Sequence, residues 1–251
     1  MPEGDTILRA AHRLAVLAGQ QLAVSAPTPR GEAHGVRRLN GRVLERVDTH
    51  GKHLILVFGD LALHSHLGMS GSWDVHPKGA AWRRSPSTAW ALLEGDSHDA
   101  VQFNGSTLRV LRTSKLALDP TLSRLGPDIL APEFDLAQVV SRFRAIDQQQ
   151  AVGDVLLDQR VVAGLGNIWR CEACFAASVS PWRSLRELSD EQLGSVLAAA
   201  REQMLASVAS RREQFAIYGR RGTCTRCGGR VVSRGQGDAN RTTWWCASCQ
   251  T

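Results

Sequence analysis

Four cysteines near the C-terminal end place the strongest constraint on how this 251-residue chain can fold. They form two Cys-x-x-Cys pairs that are separated by 18 residues. From about residue 214 onward the sequence is too polar to bury a core of its own. This segment therefore needs a cross-link, such as a structural metal ion, to be stable. Two such pairs put four thiolates within tetrahedral reach of one ion, at about 2.3 Å each. We therefore predict one structural zinc ion, Zn²⁺, bound by Cys224, Cys227, Cys246 and Cys249.

The segment between these pairs predicts a β-hairpin that carries positive charge. Residues 230–234 and 241–245 fit two strands, and residues 235–240 fit the turn between them. Residues 201–251 contain nine arginines and three acids, an excess equal to the net charge of +6 of the whole chain. A solvated surface is the alternative interpretation of these arginines. So local an excess favours a polyanionic partner.

A third Cys-x-x-Cys pair, Cys171 and Cys174, lies in a stretch with helical character. The i, i+3 spacing puts both side chains on one face of a helix. A redox pair requires a cysteine at a helix N-terminus that follows a strand. We expect two buried small residues here rather than a redox or metal site.

The remaining sequence predicts a multidomain α+β protein. Asp5 or Thr6 can cap a first helix, whose apolar residues recur at helical spacing until Gly19. Short apolar runs separated by Gly, Pro, Asp and Asn then favour an antiparallel β-sandwich or barrel. These runs are residues 43–47, 53–58, 61–67, 88–93, 101–103 and 108–111.

Four segments follow from this pattern. Residues 1–120 form the β-rich domain, residues 121–132 a proline-containing linker, residues 133–213 a helical domain, and residues 214–251 the cysteine-stapled hairpin. Within the helical domain, Ser189 and Gln192 resemble a capping box before an amphipathic run.

Membrane insertion and secretion are not indicated. No apolar run approaches the roughly 20 residues that cross a bilayer. The first residues are acidic and lack the basic-then-apolar order of a secretory signal. Cysteine pairs of this kind favour metal binding in a reducing compartment. We expect a cytoplasmic protein.

Residues 161–167 contain two glycines and lie between two helical stretches, which predicts a tight turn with Asn167 as the cap of the next helix. Free N–H groups at such a helix start bind anions well. A plain turn is the alternative. The nearby arginine-rich hairpin makes phosphate binding the favoured interpretation.

The N-terminus offers a nucleophile. Methionine is normally removed before proline, which would leave Pro2 with a free secondary amine whose pKa is near 7.7–8.0. Such an amine can attack a sugar C1′ carbon, and the neighbouring Glu3 could serve as acid or base. On residues alone, a trimming signal and a surface acid are the simpler interpretation. Lys52, in a turn before an apolar strand, would likewise pass for an exposed turn lysine.

Taken together, these residues resemble the formamidopyrimidine-DNA glycosylase / endonuclease VIII family of base-excision repair enzymes. The resemblance covers nearly the whole chain, with motifs at residues 1–6, 51–52, 66–71, 125–128, 157–159, 163–167 and 246–250. The Tyr218-Gly-Arg220 element resembles the endonuclease VIII branch more than the formamidopyrimidine branch. The resemblance implies an N-terminal β-sandwich with flanking helices, then a helix–two-turn–helix domain with a zinc-finger β-hairpin.

The resemblance also implies catalytic roles. Pro2 would attack C1′ and displace the damaged base. Glu3 would act as general acid/base and protonate the sugar oxygen. Lys52 would contact the phosphate or sugar and assist the chemistry.

Further roles concern DNA binding. Asn167 and Arg241 would bind the phosphates that flank the lesion, and Met69 would fill the place of a flipped-out base. Glu172 matches a family glutamate that is structural or near the base pocket. Neither residues 111–115, where two more void-filling residues would be sought, nor the loop between Arg211 and Thr223 can be matched.

The activity implied is that of a bifunctional DNA glycosylase and abasic-site lyase that removes oxidised bases, with pyrimidines favoured, from double-stranded DNA. Strand cleavage would proceed by β- and then δ-elimination from a Pro2 Schiff base. The chain would be a monomer near the nucleoid. A non-catalytic zinc protein that binds damaged or bent DNA is the alternative, and an RNA-binding zinc ribbon is a weaker one.

Overall fold

Strands dominate the first half of the chain and helices the second, as the sequence predicts for an α+β protein. The structure is a computed structural model that describes residues 2–210, 215–220 and 222–251. It divides into two units, Met1–Arg124 and Leu125–Thr251.

The N-terminal unit is a β-sandwich with flanking helices. Its helices are α1 (Gly4–Leu14) and α2 (Pro29–Ala33). Its strands are β1 (Gln21–Ser25), β2 (Arg42–Val43), β3 (Arg46–His50), β4 (His53–Phe58), β5 (Leu61–His66), β6 (Ser72–Pro77), β7 (Ala89–Glu94), β8 (His98–Phe103) and β9 (Thr107–Arg112). Short 3-10 turns lie at Ala15–Leu17, Val36–Leu39, Pro86–Thr88, Thr113–Lys115 and Leu122–Arg124.

Two antiparallel sheets form the sandwich, in the orders β2-β1-β7-β8-β6 and β3-β4-β5-β9. Alternating apolar residues of these strands, with Ile7 and Leu14 of α1, build one continuous buried cluster. Burial of this apolar surface is the main force that holds the unit together. The helix α1 packs on β3, β4 and β6, which fixes the chain start against the sandwich.

One strand prediction is wrong. The apolar run 43–47 is divided between β2 in one sheet and β3 in the other, with the buried Leu44 at the crossing point. A period-2 pattern shows which side chains face inward but not the sheet to which the backbone bonds. The strands β1 and β6 were not predicted.

The C-terminal unit combines four helices with a small sheet among the described residues. The helices are α3 (Leu136–Arg144), α4 (Val152–Val155), α5 (Asn167–Ala176) and α6 (Asp190–Ser210), with a 3-10 turn at Leu185–Glu187. The strands β10 (Gly222–Thr223), β11 (Arg230–Gln236) and β12 (Arg241–Cys246) pair antiparallel in that order.

Local capping fixes where these helices begin. Asp135 accepts the N–H of Gln138 before α3. Ser189 and Gln192 form the predicted reciprocal capping box before α6, at 3.0 and 3.1 Å. Each cap satisfies backbone donors that a helix start leaves unpaired. The helix α5, which is buried on most sides, packs against α6 and β12.

Within the described part of the chain, no helix is both long and apolar enough to span a bilayer.

Candidate active site and nucleic-acid interface

The candidate nucleophile and acid lie at the start of α1. Pro2 is half-buried, and Glu3 is the N-terminal flanking residue of the helix, with extended backbone and only 1% of its surface exposed. Its carbonyl accepts the N–H of Ile7 at 3.1 Å. Because Ile7 and Leu14 anchor α1 in the core, the two residues before it are held on a rigid element. A buried carboxylate in this place is not the surface acid of the simpler interpretation.

Lys52 lies in the two-residue turn between β3 and β4, where His50 pairs with His53. Gly51 takes a φ of +58°, which only glycine adopts readily at this turn position. Lys52 is half-buried rather than fully exposed. Its charge and, more strongly, burial hold the pKa of His66 below the usual 6.5. The structure thus places Lys52 beside the histidines of the same sheet.

Two buried histidines of this sheet form a hydrogen-bonded chain. The guanidinium Nε of Arg109 donates to Nδ1 of His64 at 3.1 Å, and Nε2 of His64 lies 2.8 Å from Nδ1 of His53. Asp119 holds Arg109 at 2.6 Å. Since Nδ1 of His64 is an acceptor, its proton is on Nε2, so Nδ1 of His53 must accept in turn.

Both histidines are therefore neutral. Burial is the largest cause that lowers the pKa of His53 to about 3 and that of His64 to about 4, and neighbouring positive charges add to it. The charged form is disfavoured because desolvation penalises it.

Met69 sits at the tip of the turn that follows β5 and is 79% exposed. The N–H of Gly68 donates to Nδ1 of His66 at 3.1 Å, and the N–H of Gly71 donates to the carbonyl of Leu67 at 3.0 Å. A Cβ on Gly71 would lie 2.5 Å from that carbonyl oxygen, so only glycine fits. A buried core methionine is excluded, and the side chain stands on a braced turn.

In the C-terminal unit, Asn167 is the first residue of α5 and Gly166 takes the cap position, so the prediction that Asn167 caps the helix is wrong. Its side chain points instead toward the hairpin. Nδ2 donates to the carbonyl of Thr242 at 2.8 Å, and Oδ1 accepts from Arg170. Because Gly166 holds the cap position, the side chain of Asn167 is not used for capping and makes this contact instead.

Arg241 is the first residue of β12 and is exposed. Its backbone lies beside Arg170, whose Nη2 is 3.5 Å from the Arg241 carbonyl. The structure therefore brings Asn167 and Arg241 to the same junction of α5 and the hairpin.

Two other arginines of the C-terminal residues 201–251 have structural partners. Arg226 lies 4.2 Å over the ring of Phe175 and bonds the Phe175 carbonyl at 2.9 Å. Arg234 lies 4.0 Å over the ring of Trp182. Part of the positive charge of the tail is thus used to fasten the hairpin.

Glu172 has a structural place in this unit. It is 3% exposed, and its carboxylate accepts the N–H groups of Ala216, Ile217 and Tyr218 at 2.8, 2.9 and 2.7 Å. Charge-assisted bonds of this kind are among the stronger ones in proteins. Glu172 thereby ties the segment 215–220 to α5. The rest of the loop that the sequence left unmatched, residues 211–214 and 221, lies outside the described residues.

Four thiols meet at the end of the hairpin. The Sγ atoms of Cys224, Cys227, Cys246 and Cys249 all lie within 4.8 Å of one another. The separations across the cluster are 3.9 Å for Cys224–Cys249 and 3.6 Å for Cys227–Cys246. A tetrahedral zinc with bonds of 2.3 Å would place its sulfurs about 3.8 Å apart. The residues present therefore fit a four-coordinate metal ion with no open position.

The third cysteine pair is buried, as predicted. Cys171 and Cys174 have no exposed surface. Burial raises the pKa of Cys171 to about 11 and that of Cys174 to about 12. Both are therefore protonated at neutral pH and unreactive.

Sequence reasoning did not single out Arg170, which is completely buried. A signal was available, because Arg170 and Glu172 are the only charged residues in the run 161–177. Charged groups in so apolar a run require buried partners.

Comparison with known families accounts for most of the chain. The formamidopyrimidine-DNA glycosylase N-terminal domain model matches residues 1–114, and the formamidopyrimidine-DNA glycosylase H2TH domain model matches residues 125–217.

Curated relatives match along the whole chain. A probable endonuclease 8 2 of Streptomyces coelicolor is 36% identical over all of this chain and 94% of the relative. A DNA-(apurinic or apyrimidinic site) lyase of Mycolicibacterium smegmatis is 34% identical over all of this chain and 99% of the relative. A formamidopyrimidine-DNA glycosylase of Geobacter sulfurreducens is 32% identical over all of this chain and 98% of the relative.

Solved structures share the fold. A Lactococcus lactis formamidopyrimidine-DNA glycosylase, bound non-covalently to DNA with an abasic site, superposes with a TM-score of 0.84 at 21% identity over 99% of both chains.

Proposed function

The chain belongs to the formamidopyrimidine-DNA glycosylase family, and from that premise we propose that it removes oxidised bases, pyrimidines favoured, from double-stranded DNA and then cleaves the strand. The observation that carries this proposal is the pair Pro2–Glu3, held at the start of a core-anchored helix with the carboxylate buried. Relatives named endonuclease 8 and abasic-site lyase support the same activity.

Pro2 is the proposed nucleophile. Once Met1 is removed, its secondary amine has a pKa near 7.7–8.0, so a useful fraction is unprotonated at neutral pH. The amine nitrogen bonds to C1′ while the glycosidic bond to the damaged base breaks, and the proton that the nitrogen then loses passes to the departing base. Glu3 protonates the sugar ring oxygen, and the ring opens to an iminium between Pro2 and C1′.

Strand cleavage follows from the electron-withdrawing iminium. It acidifies the C2′ proton, and loss of that proton expels the 3′ phosphate by β-elimination. A second, δ-elimination expels the 5′ phosphate. Water then hydrolyses the iminium and releases Pro2. Lys52, half-buried beside His66, is proposed to contact the phosphate or sugar during these steps.

DNA binding is assigned to residues of both units. Asn167 and Arg241, which meet at the junction of α5 and the hairpin, are proposed to bind phosphates beside the lesion. Met69, exposed on a braced turn, is proposed to fill the place of the flipped-out base. Phosphate contacts position the duplex without reading its sequence, whereas flipping costs a few kcal/mol that the inserted side chain offsets.

The metal is proposed to be one zinc ion held by Cys224, Cys227, Cys246 and Cys249. When bound, it supplies folding free energy to the hairpin rather than reactivity, because four thiolates leave no position for water or substrate. The protein is proposed to act as a monomer in the cytoplasm, on nucleoid DNA.

Borohydride trapping tests the proposed chemistry. Wild-type protein incubated with an abasic-site duplex and borohydride should give a covalent protein–DNA adduct, because borohydride reduces the iminium to a stable amine. Pro2→Gly and Glu3→Gln should each lower the initial rate of adduct formation at least about tenfold, a loss of about 1.4 kcal/mol of transition-state stabilisation. Cys171→Ala, a buried thiol outside the proposed site, is the matched control and should trap like wild type.

Absence of any adduct would overturn the lyase assignment, and tight binding without cleavage across a panel of oxidised bases would favour the non-catalytic DNA-binding alternative. Equal trapping by Pro2→Gly and wild type would overturn the role of Pro2. A panel that shows excision of oxidised purines alone would overturn the preference for pyrimidines.

A further inference from the structure

Arg170 sits at the centre of the junction between α5 and the hairpin, and its side chain is completely buried. Its Nη2 donates to Oδ1 of Asn167 and, at 2.5 Å, to Oγ1 of Thr243. Its Nη1 lies 3.4 Å from Oε1 of Gln236 and 3.3 Å from the carbonyl of Gly153. The side chains of Asn167, Arg170, Gln236 and Thr243 form what we term the Arg170 clamp, and none is more than 8% exposed.

The clamp joins three parts of the unit. Asn167 belongs to α5, Gln236 and Thr243 belong to the two strands of the hairpin, and Gly153 belongs to α4. The hydroxyl of Thr243 donates to Oε1 of Gln236 at 2.9 Å, so the hairpin partners are bonded to each other as well. A carboxylate oxygen of Asp154 lies 4.0 Å from Nη1.

A charge buried so completely is costly unless every bond it can make is well formed. Stability alone would be met as well by apolar side chains of similar volume. The guanidinium offers something apolar groups lack, which is a planar fork that fixes the orientation of several acceptors at once.

The fork decides which way the Asn167 amide faces. With Oδ1 on Arg170, the amide cannot rotate by half a turn, because that would place its NH₂ against the guanidinium donors. One hydrogen of Nδ2 is used on the carbonyl of Thr242, at 2.8 Å. The second hydrogen is the donor that Asn167 can offer to a phosphate.

The same fork fixes the hairpin beneath Arg241. Its Nη2 atom, which donates to Oγ1 of Thr243, also lies 3.5 Å from the carbonyl oxygen of Arg241. The exposed side chain of Arg241 therefore departs from a backbone that is tied to α5.

We propose that Arg170 is a positioning residue for DNA binding, which holds Asn167 and Arg241 as one rigid phosphate-binding unit. This inference rests on the proposed function, since it takes phosphate binding by Asn167 and Arg241 as its premise. Arg170 touches no DNA itself.

A double-mutant cycle on the full-length, zinc-loaded protein tests it. Affinity for a duplex with a non-cleavable abasic-site analogue is measured over a salt series for wild type, R170M, R241A and the double variant. R170M should weaken binding about tenfold and lower the salt slope by about one unit, as R241A does, because Arg241 loses its phosphate. In the R241A background, R170M should add much less than tenfold, because the two act together.

Two further variants separate positioning from charge and from folding. R170K keeps the positive charge but lacks the fork, so it should behave like R170M rather than wild type. Thr243→Val removes one clamp hydroxyl with little change in volume and should weaken binding about threefold; it keeps the test decisive if R170M does not fold.

Arg144 supplies the matched control. It also makes several internal bonds in this unit, to Gln148, Leu185, Leu188 and Asp190. R144M should lower thermal stability without a change in the salt slope.

Additive losses in the cycle, an unchanged salt slope in R170M, or full rescue by R170K would each overturn the positioning role. Those results leave the proposed function standing, provided that wild type binds the duplex and R241A weakens binding. Failure of wild type to bind the duplex would overturn the proposed function itself.

Discussion

In the N-terminal unit, facing sheets and α1 bury one continuous apolar cluster, and the buried polar groups of the unit include the neutral His53–His64 pair. In the C-terminal unit, the hairpin β11–β12 packs on a much smaller cluster, in which two of the candidate metal ligands, Cys224 and Cys246, are themselves members. Its buried polar groups include an arginine and a glutamate with charge-assisted bonds.

The two units therefore hold their candidate residues in place by different means. The first unit buries a large apolar cluster, so its functional side chains can sit on short turns. The hairpin packs on a smaller apolar cluster. The bonds of Arg170 and Glu172, and the proposed zinc at the four cysteines, compensate for this smaller burial. The two units should therefore fail under different treatments.

Loss of the metal should give the largest effect. Chelation, or the substitution Cys227→Ser, should unfold residues 222–251, because structural zinc contributes about 10–16 kcal/mol of binding free energy in finger peptides. Hydrogen exchange followed by mass spectrometry should show loss of protection in β12 and none in β4, together with a large fall in DNA affinity. Simultaneous loss of protection in β4 would contradict the independence of the two units.

Removal of the Glu172 carboxylate should have the second-largest effect. Glu172→Ala leaves three backbone N–H groups of residues 216–218 without their acceptor, which should cost on the order of 3 kcal/mol in a urea melt. Glu191→Ala, at an exposed position in the first turn of α6, is the control and should change stability by less than about 0.5 kcal/mol. If the two substitutions changed stability equally, Glu172 would not be the residue that anchors the segment 215–220 to α5.

Mild acid should weaken the N-terminal unit selectively. All eight histidines lie between residues 12 and 98, and the folded pKa values of His53 and His64 are lowered to about 3 and about 4 from 6.5. As pH falls below 6.5, the unfolded chain binds protons that these folded histidines do not, so stability present at pH 7 is lost progressively toward pH 3.

The loss should be on the order of 3 kcal/mol between pH 6.5 and pH 5, with about half from each histidine. Denaturant melts with excess zinc, read separately in β4 and α6 by hydrogen exchange, would measure it. A weakening confined to α6 would contradict the neutral state of the histidine chain.

Met69→Ala should have the smallest effect on stability. The side chain is 79% exposed, so the free energy of unfolding should change by less than about 0.5 kcal/mol. Base excision should nevertheless fall about tenfold, because the vacated base position is no longer filled. A change in melting with normal excision would assign Met69 to folding instead.

Particular residues show which features the sequence could predict and which it could not. The cysteine spacing predicted the thiol cluster, and the Ser189–Gln192 capping box was confirmed, because both depend on local chemistry at fixed offsets. The run 43–47 and the cap at Asn167 were wrong, because each depends on where a distant strand or hairpin lies. The bonds of Arg170 and Glu172 reach residues more than 40 positions away, a distance that periodicity cannot predict.

The central claim is that the chemistry begins at Pro2. Peptide mapping of the borohydride-trapped adduct by mass spectrometry tests it most directly. We expect the DNA-derived mass on the N-terminal peptide, at residue 2, with Met1 absent. A mass located on Lys52, or on any other residue, would contradict it.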